Sequence, residues 1–215
     1  MEITYIGRSC FKIKGKDTTI VIDPYNPENT KYKLPRLDAD ILLLSHAHPD
    51  HNHVDGVTGY KLLVDTPGEY EVGGTFIYGL ETFHDDKEGK ERGKNIMFLI
   101  DIDGMTVLHA GDLGHELSAE TLEKISDVDV LILPVGGVYT IDAKTAGKII
   151  SSIEPSYVIP MHYNDGKENL ELEKLDIFLK EMGVEGSVKP EDRFKLNSKS
   201  ESPEDTQVLV LTPQH

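Results

Sequence analysis

The apolar positions of this chain fall into short runs bounded by turn-forming residues, and the character of those runs changes about halfway along. The opening runs EITYIG (2–7), CFKIKG (10–15) and TTIVID (18–23) are separated by GRS and GKD. They read as an antiparallel meander. A Pro/Asn-rich loop (24–35) leads to the apolar run ADILLLS (39–45), and KLLVD (61–65), EYEVGG (69–74) and TFIYGLETF (75–83) follow as further strands. NIMFLIDIDGMTVLHA (95–110) predicts a hairpin, because Asp103-Gly104 is a dipeptide favoured in two-residue turns between strands.

In the second half strands alternate with helices. SAETLEKIS (118–126) predicts a short helix capped by Ser118, and VDVLILPVGG (128–137) a buried strand ending in glycines. IDAKTAGKIISSI (141–153) predicts a helix with Asp142 near its N-cap, and PSYVIPMHY (155–163) a strand. ENLELEKLDIFLKEMG (168–183) has Leu170, Leu172, Leu175, Phe178, Leu179 and Met182 mostly on one helical face, with Gly183 as its stop. A polar loop (196–207) and a last strand VLVLTP (208–213) close the pattern. Strands first and alternation later suit an α/β protein of two mixed sheets packed face to face with helices outside, a four-layer αββα sandwich. No linker or internal repeat divides residues 1–215, so one domain is expected.

Composition narrows the classes of function. With 38% hydrophobic and 28% charged residues the chain has enough apolar surface for a core, and no apolar run approaches a membrane span. The start MEITYIGRSCF lacks a basic segment followed by an apolar one, and Cys10 is the only cysteine, so neither a secretory signal nor an intrachain disulfide is expected. A cytoplasmic location is the default. The net charge of −16 argues against long nucleic acids as partners. A small-molecule substrate, with anionic ones among the candidates, is the expected partner; the sequence gives no oligomeric state.

The histidines supply the chemistry. SHAHPDHNHVD (45–55) holds four of the chain's nine histidines and two aspartates, directly after the run ILLL (41–44). A polar loop that happens to be His-rich is the plain alternative to a loop delivering metal ligands from a strand end. Three more strand ends carry ligand-type residues: His84 after TFIYGLETF, Asp112 in HAGD (109–112), and His162 after YVIPM. Strand ends are where ligand-binding groups collect in α/β sheets. In H-x-H-x-D-H a tight turn can aim His46 and His48 at one metal and Asp50 and His51 at a second. Imidazole and carboxylate suit zinc, manganese or iron, with no thiolate needed.

The motifs SHAHPDH (45–51), TFHDD around His84, HAGD (109–112) and PMH (160–162) resemble those of the metallo-β-lactamase-fold superfamily. PGEYEVGG (67–74), HDDKEGKERGKN (84–95) and PVGGVYTIDAKTA (134–146) make the chain most similar to its small metal-dependent hydrolases, the branch related to ascorbate-6-phosphate lactonase. The resemblance implies two divalent metal ions, zinc first, with manganese and iron as alternatives. It places His46, His48 and His84 on one ion and Asp50, His51 and His162 on the other, with Asp112 bridging. It also makes Asp23 a supporting residue behind the ligands. The implied reaction is hydrolysis of an ester, lactone or phosphodiester bond of a small metabolite. A hydroxide bridging the metals would attack, and Asp50, as the catalytic residue, would orient it and pass a proton to the leaving group. An iron-dependent oxidoreductase of the same fold, or a phosphodiesterase or nuclease, is the alternative. The diiron members typically have a glutamate where His48 stands.

Other polar residues have plainer readings. His53 reads as a solvated loop residue, His109 as a structural partner, His115 as a surface residue and Cys10 as buried and inert. In the charged loop 85–95, Lys90, Arg92, Lys94 or Asn95 could meet an anionic substrate. Tyr139 and Thr140 are candidates for the pocket, and Asp142 for a cap.

Overall fold

The computed structural model describes residues 1–125, 127–167 and 171–215. Its strands are β1 (Glu2–Gly7), β2 (Cys10–Lys14), β3 (Thr19–Ile22), β4 (Leu37–Asp38), β5 (Ile41–Leu43), β6 (Val57–Thr58), β7 (Leu62–Val64), β8 (Gly68–Val72), β9 (Thr75–Phe83), β10 (Lys94–Ile102) and β11 (Met105–His109). The α-helix α1 (Ala119–Glu123), β12 (Val130–Pro134), α2 (Ala143–Ile153), β13 (Tyr157–Met161), α3 (Leu175–Glu181), β14 (Phe194–Lys195) and β15 (Gln207–Val208) complete the order.

Two mixed sheets result. One has the order β14-β1-β2-β3-β5-β7, with β1, β2 and β3 as the expected antiparallel meander and β5 and β7 added in parallel. The other has the order β15-β13-β12-β11-β10-β9-β8, antiparallel from β8 to β11 and parallel from β11 to β15. Burial follows position. β12 and β13 are buried along their whole length, as strands covered on both faces must be. In β9, Thr75 and Ile77 are buried while Phe76 and Tyr78 are exposed, the alternation of a strand with one face uncovered. The β10–β11 hairpin turns where expected, with Asp103 at φ 56° and Gly104 at φ 73°, the paired positive angles of a type I′ turn.

The core between the sheets is built from the inward rows of both, including Phe11, Ile20, Ile41, Phe98, Ile132 and Ile159. α2 and α3 cover the outer face of the seven-stranded sheet through Ala146, Ile149, Phe178 and Leu179. This is the four-layer sandwich expected from the sequence. Its outer layer over the six-stranded sheet differs: among the described residues that face is covered by the loop after β3, the β4–β6 pair and two 3-10 turns, with Tyr25, Tyr32, Leu37 and Val57 packed inward.

Several boundaries differ from those expected. The predicted helix 168–183 is helical only from Leu175; residues 168–170 lie outside the described residues, and so does 126 of the predicted helix 118–126. Glu173 donates its N–H to Gly136 O and accepts from Asn164 N, so this stretch is tied as extended chain before Lys174 caps α3. The predicted strand 208–213 pairs with β13 only at its start, and Leu211 forms an isolated bridge with Glu191. Leu209 N bonds Val158 O, and the next donor on that side of β13 is position 160, where Pro160 has no N–H. β15 therefore parts from β13 there.

Two outcomes follow. Phe98 is fully buried between the sheets, so Phe98→Ala should cost ~3–5 kcal/mol in urea unfolding; a loss under ~1 kcal/mol would contradict this packing. Burial holds the Cys10 thiol well above its ordinary pKa. A disulfide reagent should leave Cys10 unmodified in the native protein over the time in which the urea-unfolded chain reacts fully.

Candidate metal centre

Strands β1, β3, β5, β9, β11, β12 and β13 all run out at one edge of the sandwich, and the residues just beyond them meet there. The anchor is Asp23, fully buried and at φ 48° immediately after β3. Its carboxylate accepts from Ser45 N at 2.7 Å and Ser45 Oγ at 2.5 Å and lies 3.0 Å from His51 Nδ1. Further bonds shape the loop after β5: His51 N to His48 O, Asn26 N to Pro49 O and His53 N to Pro24 O.

These contacts fix which ring nitrogens face inward. With Nδ1–H donated to Asp23, the Nε2 of His51 points into the cluster, where Asp112 and Asp23 outweigh burial and hold the ring's pKa well above its ordinary value. Ser45 Oγ–H is given to Asp23, so Ser45 accepts from His46 Nδ1 at 2.9 Å and His46 Nε2 carries no hydrogen, accepting from His48 Nδ1.

Asp112 is positioned from three sides. Its N–H bonds Asn95 Oδ1 at 2.9 Å, its Oδ1 accepts from Ser9 Oγ at 3.0 Å, and Gly111 before it sits at φ 56°. A Cβ on Gly111 would lie 2.3 Å from Asn95 Oδ1, so only glycine fits this turn. His84 is held by its N–H to Gly93 O, and His162, at φ 52°, by its N–H to Arg8 O. Gly136 passes so close to His162 that a Cβ there would lie 2.0 Å from the His162 carbonyl.

Asp112 Oδ2 sits 3.2 Å from His51 Nε2, 3.3 Å from His84 Nε2 and 3.3 Å from His162 Nε2. His46 Nε2 and His48 Nδ1 are 3.1 Å apart. Three sets, His46/His48/His84, His46/His51/Asp112 and Asp50/His51/His162, each offer ligand atoms within 4.8 Å of one another. Buried His51 Nε2 has no partner with hydrogen-bond geometry, despite its closeness to Asp112. A ring nitrogen buried this way needs a proton or a cation on it, and a nitrogen and oxygen donor set without thiolate fits a divalent cation.

The electrostatics follow from crowding. Burial, helped by neighbouring imidazoles, pushes His46 down to about 2, so this ring stays neutral as a ligand must. Burial would raise the Asp112 carboxyl, but His162 and His51 outweigh it and hold it well below the usual carboxylate range. Burial likewise opposes ionisation of Asp50, and His51 and Arg8 overcome it. Arg8 Nη1 lies 2.7 Å from Asp50 Oδ2.

The seven residues expected at the site thus come together: His46, His48, Asp50, His51, His84, Asp112 and His162. A cavity of about 390 Å³ opens over them, with Arg8, Asn29, Arg92 and Tyr139 also in its wall. His109 bonds Ser9 O and His115 accepts from Phe83 N, so both have structural partners, while His53 stands at the start of a 3-10 turn with no capping bond from its side chain. Asn95 does not face substrate: it is fully buried and spans Thr82, Ala110 O and Asp112 N. Lys90 and Lys94 pair with Glu88 and Glu81 and do not line the cavity. Thr140 lines an adjoining polar pocket, and Asp142 caps α2 through Thr145 N. Arg8, Ser9 and Asn29 were not legible: GRS reads as a turn, and only the fold brings it beneath Asp50 and Asp112.

Comparison with known proteins places the chain. A family model for the beta-lactamase superfamily domain matches residues 2–162. A metal-dependent hydrolase of Pyrococcus abyssi is 30% identical over 192 residues, covering 76% of this chain and 85% of that protein. A crystal structure from Thermotoga maritima, of the metallo-β-lactamase superfamily, is 35% identical with a TM-score of 0.79, covering 98% of this chain and 97% of that one. In fold alone, a diiron β-hydroxylase from Streptomyces venezuelae is also similar, at 18% identity and a TM-score of 0.55 over 76% of this chain and 45% of that one. The motifs, the sandwich and these relatives agree: the chain belongs to the beta-lactamase superfamily and has the metallo-β-lactamase fold.

Proposed function

We propose that the chain is a metal-dependent hydrolase with a dinuclear site, acting on an ester, lactone or phosphodiester bond of a small molecule. In this reading His46, His48 and His84 hold one cation, and Asp50, His51 and His162 hold the other. Asp112 is shared between them and zinc is the preferred ion. The observation that carries it is the convergence of three imidazole Nε2 atoms within 3.3 Å of Asp112 Oδ2, at the floor of an open cavity. Cations held by this set would supply an activated water at neutral pH and polarise the substrate oxygen.

The chain's own residues do the rest. Asp23 and Ser45 lock the inward nitrogens of His51 and His46 before any substrate arrives, so no reorganisation is needed during reaction. His51 and Arg8 hold the Asp50 carboxyl below its ordinary range against burial, so Asp50 starts as a carboxylate that can take a proton from the attacking water and release it to the leaving group.

A screen of esters, lactones and phosphodiesters tests this reading. Activity should vanish on chelation and return with zinc or manganese. Activity that survives chelation with the metal content at zero would contradict it. Asp112→Asn removes the shared carboxylate and should lower both metal content and turnover, by about 10²-fold or more for turnover. Asp50→Asn should lower kcat about 10²–10⁴-fold. Metal content measured on the same sample separates loss of a ligand from loss of a proton carrier, and wild-type turnover in either variant would remove that residue from the site.

A further inference from the structure

We propose that Arg92 recognises the substrate, and that the substrate carries an oxyanion group, a carboxylate or a phosphate, beside the bond that is cut. This rests on the hydrolase reading above and adds the class of molecule that the site accepts.

Two cationic side chains line the cavity wall. Arg8 and Arg92 are the two among the described lining residues. Arg8 is committed to Asp50 at 2.7 Å. Arg92 has no such commitment. Its nearest carboxylate is Glu91, at 4.0 Å, and that group is already taken by Lys87. Its one side-chain hydrogen bond among the described residues is a long one, Nη2 to Val138 O at 3.4 Å. A guanidinium has five N–H donors arranged as a fork that matches carboxylate and phosphate oxygens. Most of that fork is therefore unspent where it borders the cavity.

The position of Arg92 is also prepared. Asp85, next to His84, accepts from the backbone N–H groups of Lys87, Gly89, Glu91 and Arg92 at 2.7–3.0 Å. One buried carboxylate thus folds the loop and fixes the Arg92 backbone relative to His84. From the other side, the guanidinium lies over the Tyr139 ring, 5.7 Å from its centroid. The loop folded around Asp85 and the ring of Tyr139 together hold the guanidinium at the cavity wall. The global charge strengthens the inference. A net charge of −16 repels anions, so an anionic substrate needs a local cation to be held.

A purely structural role, pinning the loop to Val138, makes different predictions. Acetate, succinate, glutarate and phosphonoacetate would be titrated by calorimetry into the zinc-loaded full-length chain, its Arg92→Gln and Arg92→Lys variants, and each protein without metal. Acetate has one anionic group for the metal floor, whereas the others have a second for Arg92. At least one dianion should bind wild type about tenfold or more tighter than acetate. Arg92→Gln should abolish that advantage without changing acetate, and Arg92→Lys should restore part of it. A preference for phosphonoacetate over the dicarboxylates would identify the group as a phosphate, and the reverse as a carboxylate. The proposal is overturned if no dianion exceeds acetate, or if Arg92→Gln weakens acetate as much as the dianions. Failure to take up zinc would contradict the hydrolase reading alone. The metal-free titrations would then decide Arg92, with Arg92-dependent binding of a dianion supporting it and its absence overturning it.

Discussion

The buried carboxylate of Asp23 is the constraint on which the site depends. A fully desolvated carboxylate is tolerated only when its oxygens are hydrogen-bonded and its charge compensated. Here it takes two bonds from Ser45 and one from His51, all just beyond β5. Satisfying Asp23 therefore orders the histidine loop, and ordering the loop fixes which nitrogens of His46 and His51 face the centre. The same hydrogen bonds that stabilise the end of a strand set the protonation pattern of the rings.

Some of the strained backbone positions lie at the site, and others, such as Asp103 and Glu154, lie in a turn and a helix cap away from it. Arg8, Asp23 and His162 adopt positive φ without being glycine, and Val138, in the loop that carries Tyr139, does the same. Such conformations are unfavourable for these side chains and persist where the surroundings enforce them. In this protein the enforcing contacts are local and named: Leu43 O for the Asp23 N–H, and Arg8 O for the His162 N–H. At Arg8, Asp23 and His162 the positive φ directly follows a strand end and turns the chain at the common edge. The sandwich thus supplies a rigid rim, and the sharp corners at that rim aim the ligands.

Much of this was legible in the sequence because it depends on local pattern. The hairpin at Asp103-Gly104, the caps Ser118 and Asp142, and the ligand-type residues after apolar strands all follow from short-range rules. What stayed hidden depends on contacts between distant parts of the chain. That residues 171–174 of the helix expected over 168–183 are not helical is explained by a bond from Glu173 to Gly136, and the early parting of the last strand from β13 by a proline on its neighbour. Asn95 looked like a substrate contact because it stands in a charged loop, yet its alternation on β10 turns it inward against Thr82 and Asp112. Arg8 lies 42 residues from Asp50, and no periodicity connects them.

Anomalous diffraction from a crystal grown with zinc tests the central claim most directly. Two peaks are predicted, one among His46, His48 and His84 and the other among Asp50, His51 and His162, with Asp112 Oδ2 between them. A single peak, or none, would contradict a shared carboxylate between two cations and the hydrolytic chemistry built on it.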